Sequence, residues 1–389
     1  MAAIVLFPFP AFGHLNPTLK LARALQRAGH QICYLGLADF EEYVRSQGFD
    51  FIPILASPPA GAASGDAPAR LQVNPLEIVG IGEGGQTSEI NNALLKEIAA
   101  ELKPIIRKRK PDLLIVDYLI GGFGYMASQE LGITSALIDS TIVEGLMLGE
   151  PAPETVKRKL PVLVMCPDAL DFPGPWRQPH RHYIEPSVDL QRQELQPFPW
   201  DMLDPSKPLI YCSFGSQAYV YKHSIKIFRA VIEAVGERPE WQLVLAVGPY
   251  LKTEAFAPLP DNVLVVNWAP QLKLLERAAV MITHGGMGAV KECIFFAVPM
   301  IVFPCRWDQP HNAARVVHHG LGLRGDISDG SVGQVRRLLE ELSGSGQYKA
   351  RVAAMSRTFR EVEDSGIGVR TVEGFLQETH LRKPAGQTR

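Results

Sequence analysis

Residues 268–312 read WAPQLKLLERAAVMITHGGMGAVKECIFFAVPMIVFPCRWDQPHN. VMITH (280–284) is a short apolar strand, and GGMGAVKEC (285–293) opens a helix on glycines. MIVFP (300–304) is a second strand, and a second helix is expected over 309–319. This alternation is that of a parallel α/β sheet. Gly285, Gly286 and Gly288 leave backbone N–H groups sterically open at a helix N-terminus, where the helix dipole favours an anion such as a pyrophosphate. His284 sits at the mouth and can donate a hydrogen bond to a phosphate oxygen. Glu292 lies about two helical turns further on, where a carboxylate could accept from two vicinal ribose hydroxyls. Asp308 and Gln309 follow the next strand and are suited to gripping sugar hydroxyls. Trp268 offers a flat face for stacking on a base. Singly, each residue is more often core, cap or solvated face; their joint spacing carries the reading.

Working outward, the same alternation fills the chain. AIVLFPF (3–9) is a continuous apolar run, expected of a strand buried on both faces. A helix follows the turn AFGHLNP, with Asn16 expected as its N-cap, Pro17 as its first residue and Gly29 closing it. QICYLGL (31–37), FIPIL (51–55), DLLIVD (112–117) and TSALI (134–138) read as strands. Helices are expected from Asp39, as cap, to Ser46, over 87–109 and over 121–131. A second series begins at LIYCSFGS (209–216) and ends in helices over 332–343, 346–363 and 368–379. Residues 56–75 and 80–85 break the pattern as loops, and the proline-rich stretch 171–208 ends in a linker near 197–207.

A chain of 389 residues exceeds the usual span of about 100–200 per domain. The organisation expected is two Rossmann-like, doubly wound domains facing each other across a cleft. Residues 1–200 are expected to form the first domain and 207–370 the second. Residues 371–389 pack back toward the first.

The segment resembles the signature of the plant secondary-product glycosyltransferases and their bacterial natural-product relatives, family 1 enzymes of the GT-B fold. The matching residues are W-x-P-Q at 268–271, T-H-x-G at 283–286, Glu292, A-V-P at 297–299 and D-Q-x-x-N-A at 308–313. The resemblance implies that Trp268 stacks on the nucleobase and that Gln271 lies near base and ribose. It puts His284 on the pyrophosphate, Glu292 on the ribose, and Asp308 and Gln309 on the transferred sugar. Ser216, in SFGSQ, fits the family's second phosphate contact. Met287, Gly288 and Ala289 depart from the plant pattern toward the bacterial macrolide type, which rests the phosphate grip on backbone N–H groups.

Transfer to a hydroxyl needs a base, and histidine suits neutral pH. His14 lies after the first strand, and Asp117 ends the strand LLIVD of the same sheet, so parallel strands bring both to one edge. The G-H-x-N-P turn and the V-D-Y segment resemble the family's catalytic-histidine loop and orienting aspartate. His14 is read as base and Asp117 as its partner, by the logic of the serine-protease triad. Direct attack implies inversion, and no metal motif is found. His180 and His182 (PHRHY) are read as a surface loop.

Phe12, the loops over 56–90 and the segment STIVEGLML (140–148), with Ile142 and Leu146, are candidate acceptor walls. They point to a small apolar acceptor such as a polyketide or phenolic compound. Asp308–Gln309 resembles the pair in enzymes that use UDP-glucose, and the resemblance implies that donor rather than a dTDP-deoxysugar. No cofactor is expected beyond this co-substrate. Rival readings are a UDP-sugar epimerase and a non-catalytic nucleotide-sugar-binding protein. A nicotinamide oxidoreductase is disfavoured, because FPAFGHLNP lacks GxGxxG.

Composition fits this picture. Hydrophobic residues make 46% and charged residues 21%, and the net charge of −2 gives no reason to expect a nucleic-acid partner. MAAIVLFPFP reads as a first strand rather than a signal peptide, and no apolar run is long enough to span a bilayer. The five scattered cysteines, with no CxxC pair, fit a reducing cytoplasm.

Overall fold

The computed structural model describes residues 1–55, 92–142, 160–173, 178–194 and 196–382. It contains two wholly parallel sheets. The first has seven strands in the order β3-β2-β1-β4-β5-β6-β7. They are β1 (Ala3–Phe7), β2 (Gln31–Leu37), β3 (Asp50–Ile54), β4 (Leu113–Asp117), β5 (Ser135–Asp139), β6 (Val162–Val164) and β7 (Arg181–Tyr183). The second has six in the order β10-β9-β8-β11-β12-β13. These are β8 (Leu209–Ser213), β9 (Gln242–Ala246), β10 (Val263–Val266), β11 (Ala278–Thr283), β12 (Met300–Val302) and β13 (Gly322–Arg324). Every residue of β4, β8 and β9 is buried, because helices cover both faces of a parallel sheet.

Among the described residues the first sheet carries α1 (Phe12–Arg27), α2 (Glu41–Ser46), α3 (Asn92–Arg109) and α4 (Gly122–Leu131). The second carries α5 (Ser224–Gly236), α6 (Gln271–Leu275), α7 (Met287–Phe295), α8 (Gln309–His318), α9 (Val332–Gly344) and α10 (Gly346–Glu363). The last helix, α11 (Ile367–Arg382), begins before residue 371. Its Val372, Phe375 and Leu376 join the core on one face of the first sheet, with Leu19 and Leu25 of α1. Both Glu185 carboxylate oxygens accept from Gly368 N–H, at 3.0 and 2.9 Å, so the first turn of α11 is capped by the N-terminal domain.

Several local expectations are corrected. Helix α1 starts at Phe12, four residues before Asn16, and the His14 and Leu15 N–H groups already bond to the Ala11 carbonyl at 2.9 and 3.0 Å. Asn16 therefore lies inside the helix, where its Oδ1 accepts from Tyr43 Oη at 2.8 Å. Pro17, the sixth residue of α1, has no N–H to give the Gly13 carbonyl, so the helix forgoes one bond of its ladder there. Asp39 sits within a 3-10 turn and forms no side-chain cap to α2. PHRHY is only in part a loop: His180 lies in a turn, but Arg181–Tyr183 form β7, and the His182 ring packs edge-on to Phe375, centroids 5.3 Å apart. The loops over 56–90 lie outside the described residues. No described helix is long and apolar enough to cross a membrane.

The two domains share packing as well as a boundary. Val162, Val164, Cys166 and Leu170 of the first lie in one buried cluster with Leu209, Met287 and Met300 of the second. Lys291 Nζ of α7 donates to the Met165 carbonyl at 2.6 Å, and Lys20 of α1 pairs with Glu363 of α10. These ties hold the carboxyl edges of both sheets toward one cavity of about 480 Å³.

Candidate active site

His14 occupies the first turn of α1, just beyond β1. Its Nδ1 lies 2.9 Å from Asp117 Oδ2, at the end of the neighbouring strand β4. The other Asp117 oxygen accepts from Leu119 N–H at 3.0 Å, so this carboxylate also caps the turn that follows β4. Ser140, read from the sequence only as the first residue of the candidate acceptor-wall segment 140–148, adds a third group: its Oγ lies 3.0 Å from the same Nδ1. It sits just beyond β5, which pairs with β4. With Nδ1 occupied, Nε2 is the ring nitrogen left for a substrate. Phe9 packs edge-on against the imidazole, centroids 5.2 Å apart. Burial draws the His14 pKa down, but Asp117, by charge and hydrogen bond, then Asp308 and Asp139, outweigh it. The pKa ends above the ordinary value of 6.5.

Opposite His14, the turn after β11 opens α7. Gly285 has φ +86°, and a Cβ there would stand 2.5 Å from Val302 Cγ1. Gly286 is the N-cap, and its Cβ would meet His284 Nε2 at 2.7 Å. Gly288 faces open space. The first intrahelical bond at the cap runs from Val290 N–H to the Gly286 carbonyl, at 3.1 Å. The Met287, Gly288 and Ala289 N–H groups precede it and point out of the helix end. His284 packs beside Tyr221, centroids 5.7 Å apart. Its burial pushes the pKa down to about 4, against a raising contact with the Ser213 backbone. It is neutral at pH 7 and can serve a phosphate only as a hydrogen-bonding group. Ser216 follows Gly215, which adopts φ +72° in the turn after β8, and lines the same cavity.

Glu292 reaches the cavity from α7 with both oxygens engaged. Arg192 Nη1 donates to Oε1 at 2.8 Å and Gln271 Nε2 donates to Oε2. Arg192 belongs to the N-terminal side and was not singled out from sequence; its partner lies 100 positions away. Trp268, 39% exposed, is met edge-on by Phe12, centroids 5.6 Å apart. Phe12 also touches Phe40 and Tyr43. Phe12, expected as an acceptor wall, thus lines the cavity beside Trp268.

Asp308 is the N-cap residue of α8, where Asn312 Nδ2 donates to its Oδ2 at 2.7 Å. Burial pushes its pKa up to about 6, with the Asn312 hydrogen bond and the His14 charge acting against the shift. Gln309 lines the cavity but its amide is committed. Its Oε1 accepts from the Cys305 and Arg306 N–H groups, each at 2.9 Å, and its Nε2 donates to Tyr221 Oη at 3.0 Å. It braces a turn in which Trp307 holds φ +54°, a left-handed conformation that a bulky residue adopts only under constraint. Ile142, expected at the acceptor wall, is instead 4% exposed within the core shared by the domains. Leu146 lies outside the described residues. Among the described residues no group of three or more His, Cys, Asp or Glu side chains is placed to hold a metal ion.

Residues 238–360, which include this half of the site, match the family described as the erythromycin biosynthesis protein CIII-like C-terminal domain. The NDP-glycosyltransferase YjiC of Bacillus subtilis is 25% identical over 411 aligned residues, covering 97% of this chain and 98% of that protein. The oleandomycin glycosyltransferase of Streptomyces antibioticus is 25% identical, covering 83% of this chain and 78% of its own. Among solved structures, the spinosyn rhamnosyltransferase SpnG, complexed with thymidine diphosphate, superposes with a TM-score of 0.74 at 19% identity, covering 96% of this chain and 100% of that one. With two parallel-sheet domains meeting at this cleft, the chain has the GT-B fold of these structures, and the matches together support a glycosyltransferase similar to the bacterial natural-product enzymes of family 1.

Proposed function

We propose that this glycosyltransferase moves a hexose from a nucleoside diphosphate sugar to a hydroxyl of a small apolar acceptor such as a polyketide or phenolic aglycone, with inversion and without a metal ion. The observation that carries this reading is the 2.9 Å contact between His14 Nδ1 and Asp117 Oδ2. It leaves Nε2 to take the acceptor's proton as the hydroxyl oxygen bonds to the anomeric carbon. The bond from that carbon to the diphosphate breaks on the opposite face. The imidazolium formed is stabilised by Asp117. The departing diphosphate would be met by the N–H groups at the start of α7, by His284 and by Ser216. Trp268, Gln271 and Glu292 would hold the nucleoside, and Asp308 the transferred sugar.

UDP-glucose is the donor we favour. A dTDP-deoxysugar is a second reading, supported by Gln309: its amide is spent on the Cys305–Trp307 turn and on Tyr221, which leaves fewer groups to demand sugar hydroxyls. The test is incubation with UDP-glucose or dTDP-glucose, a panel of phenols and polyketide aglycones, and EDTA, read by mass spectrometry with His14→Ala alongside. A hexosylated product that disappears in the variant is expected. A product that survives His14→Ala removes the base, and one that forms only without EDTA removes metal independence.

A further inference from the structure

We infer that Arg315 is a positioning residue that joins the two halves of the reaction site across the domain boundary. It projects from α8, and only 6% of it is exposed. Its guanidinium makes four kinds of contact. Nε and Nη2 donate to Asp171 Oδ1 of the N-terminal domain at 3.1 and 2.8 Å. Nη2 also donates to the Ile142 carbonyl at 3.0 Å. Nη1 donates to Asn312 Oδ1 at 3.2 Å. The Phe172 ring lies 5.4 Å below the guanidinium carbon.

Two of these contacts lead to the reacting groups. Asn312, fully buried, turns its Nδ2 to Asp308 Oδ2 at 2.7 Å and to the Gly285 carbonyl at 2.9 Å. Arg315 thereby fixes which way the Asn312 amide points, and so which atom faces Asp308. On the other side, Ile142 ends the turn that carries Ser140. Asp139 Oδ1 gathers the N–H groups of Thr141 and Ile142, at 2.9 and 3.0 Å, and the Thr141 hydroxyl at 3.0 Å. Ile142 holds φ +56°, a conformation costly for a β-branched residue that persists only where its surroundings impose it. The Arg315 contact to its carbonyl is one such constraint. Ser140, two residues earlier, lies 3.0 Å from His14 Nδ1. Asp171 is itself fixed by Tyr183 Oη, which donates to Oδ2 at 2.5 Å.

One planar fork therefore bonds to the neighbour of the sugar-side carboxylate and to the turn beside the base. Lysine cannot reproduce this, because its ammonium is a single point of donation. The inference rests on the proposed roles of Asp308 and His14. Arg315 touches neither, so it acts by placing them.

The experiment compares Arg315→Lys, Asp171→Asn, Asp308→Asn and the Arg315→Lys/Asp308→Asn double variant. It measures kcat and donor KM with UDP-glucose or dTDP-glucose and a phenolic acceptor, UDP binding by calorimetry, and melting temperature. Arg315→Lys should lower kcat by roughly tenfold or more, since a small misplacement of reacting groups is expensive in rate. UDP affinity should stay within about twofold, because none of the Arg315 partners is Trp268, Gln271 or Glu292. The double variant should lose less than the product of the single losses. Asp171→Asn, the milder change, should fall between wild type and Arg315→Lys. Unchanged kcat in folded Arg315→Lys and Asp171→Asn overturns the inference. So does UDP binding that falls in step with kcat, or strictly multiplicative losses. If Asp308→Asn alone leaves kcat and donor KM unaltered, the sugar-side role of Asp308 fails, and the coupling fails with it.

Discussion

Arg192 and Glu292 meet across the domain boundary, with Nη1 2.8 Å from Oε1. Gln271 takes the second oxygen. A ribose diol that enters this end of the cavity must therefore exchange with bonds already made, and the net gain is smaller than a bare carboxylate would provide. Glu292→Gln keeps the shape and removes the charge. It should weaken UDP binding by about tenfold, or ~1.4 kcal/mol. Thymidine diphosphate, with one ribose hydroxyl fewer, should lose less. Calorimetry with both nucleotides tests this, and equal affinities in wild type and variant would remove Glu292 from the nucleoside site.

The proposed base, His14, carries an expected pH dependence of the reaction. A base must be unprotonated to accept, so the rate falls as pH drops through its pKa. That value lies above 6.5, because Asp117, together with Asp308 and Asp139, outweighs burial. The acid limb of kcat/KM should thus sit above pH 6.5. Asp117→Asn takes away the leading charge that raises the pKa, so the limb should move to lower pH while kcat falls by roughly 10²–10⁴. A pH–rate profile decides this, and a limb that stays in place in the variant would sever Asp117 from the base.

The long motif over 268–312 was legible because its residues are neighbours in the chain and its strands alternate with helices at regular spacing. His14 and Asp117 were legible because parallel strands must deliver both to one edge. Arg192, Ser140 and Arg315 were not: their partners lie 100, 126 and 144 positions away, and no local pattern announces such contacts. The strands β6, β7 and β13 have three residues each, too few for any period to register; β12 is as short but was legible because MIVFP stands between the segments of the long motif. Gln309 shows a different limit. Its place in the motif marks it as a sugar-side group, yet its amide braces a turn, which only the hydrogen bonds reveal.

Asp308 predicts a second pH effect, separable from the first. Its carboxyl, pushed up to about 6, takes up a proton as pH falls through that value and then loses acceptor capacity for a sugar hydroxyl. Affinity for UDP-glucose, whose diphosphate is esterified at both ends and does not titrate in this range, should fall below about pH 6. His284 adds no titration in this range, since its pKa is down at about 4. Asp308→Asn should flatten the UDP-glucose curve. A UDP-glucose pH curve that is the same in wild type and Asp308→Asn would place the sugar away from Asp308.

The two glycines that flank the mouth of α7 should respond in opposite ways to alanine. At Gly285, the φ of +86° and the 2.5 Å approach to Val302 Cγ1 leave no room for a Cβ. Gly285→Ala should cost about 1–3 kcal/mol of stability and lower the melting temperature. Gly288 lies in the first turn of the helix and meets nothing within 4 Å. Gly288→Ala should leave stability unchanged or raise it by up to about 1 kcal/mol, since alanine is the better helix former. Its methyl group would nevertheless stand at the helix end, where a diphosphate must come within hydrogen-bonding distance of the backbone. UDP affinity should therefore fall in a protein that melts no lower than wild type. Thermal melts paired with UDP titrations of both variants separate the two effects. A Gly288→Ala protein that binds UDP as tightly as wild type would mean that the diphosphate does not rest on this helix.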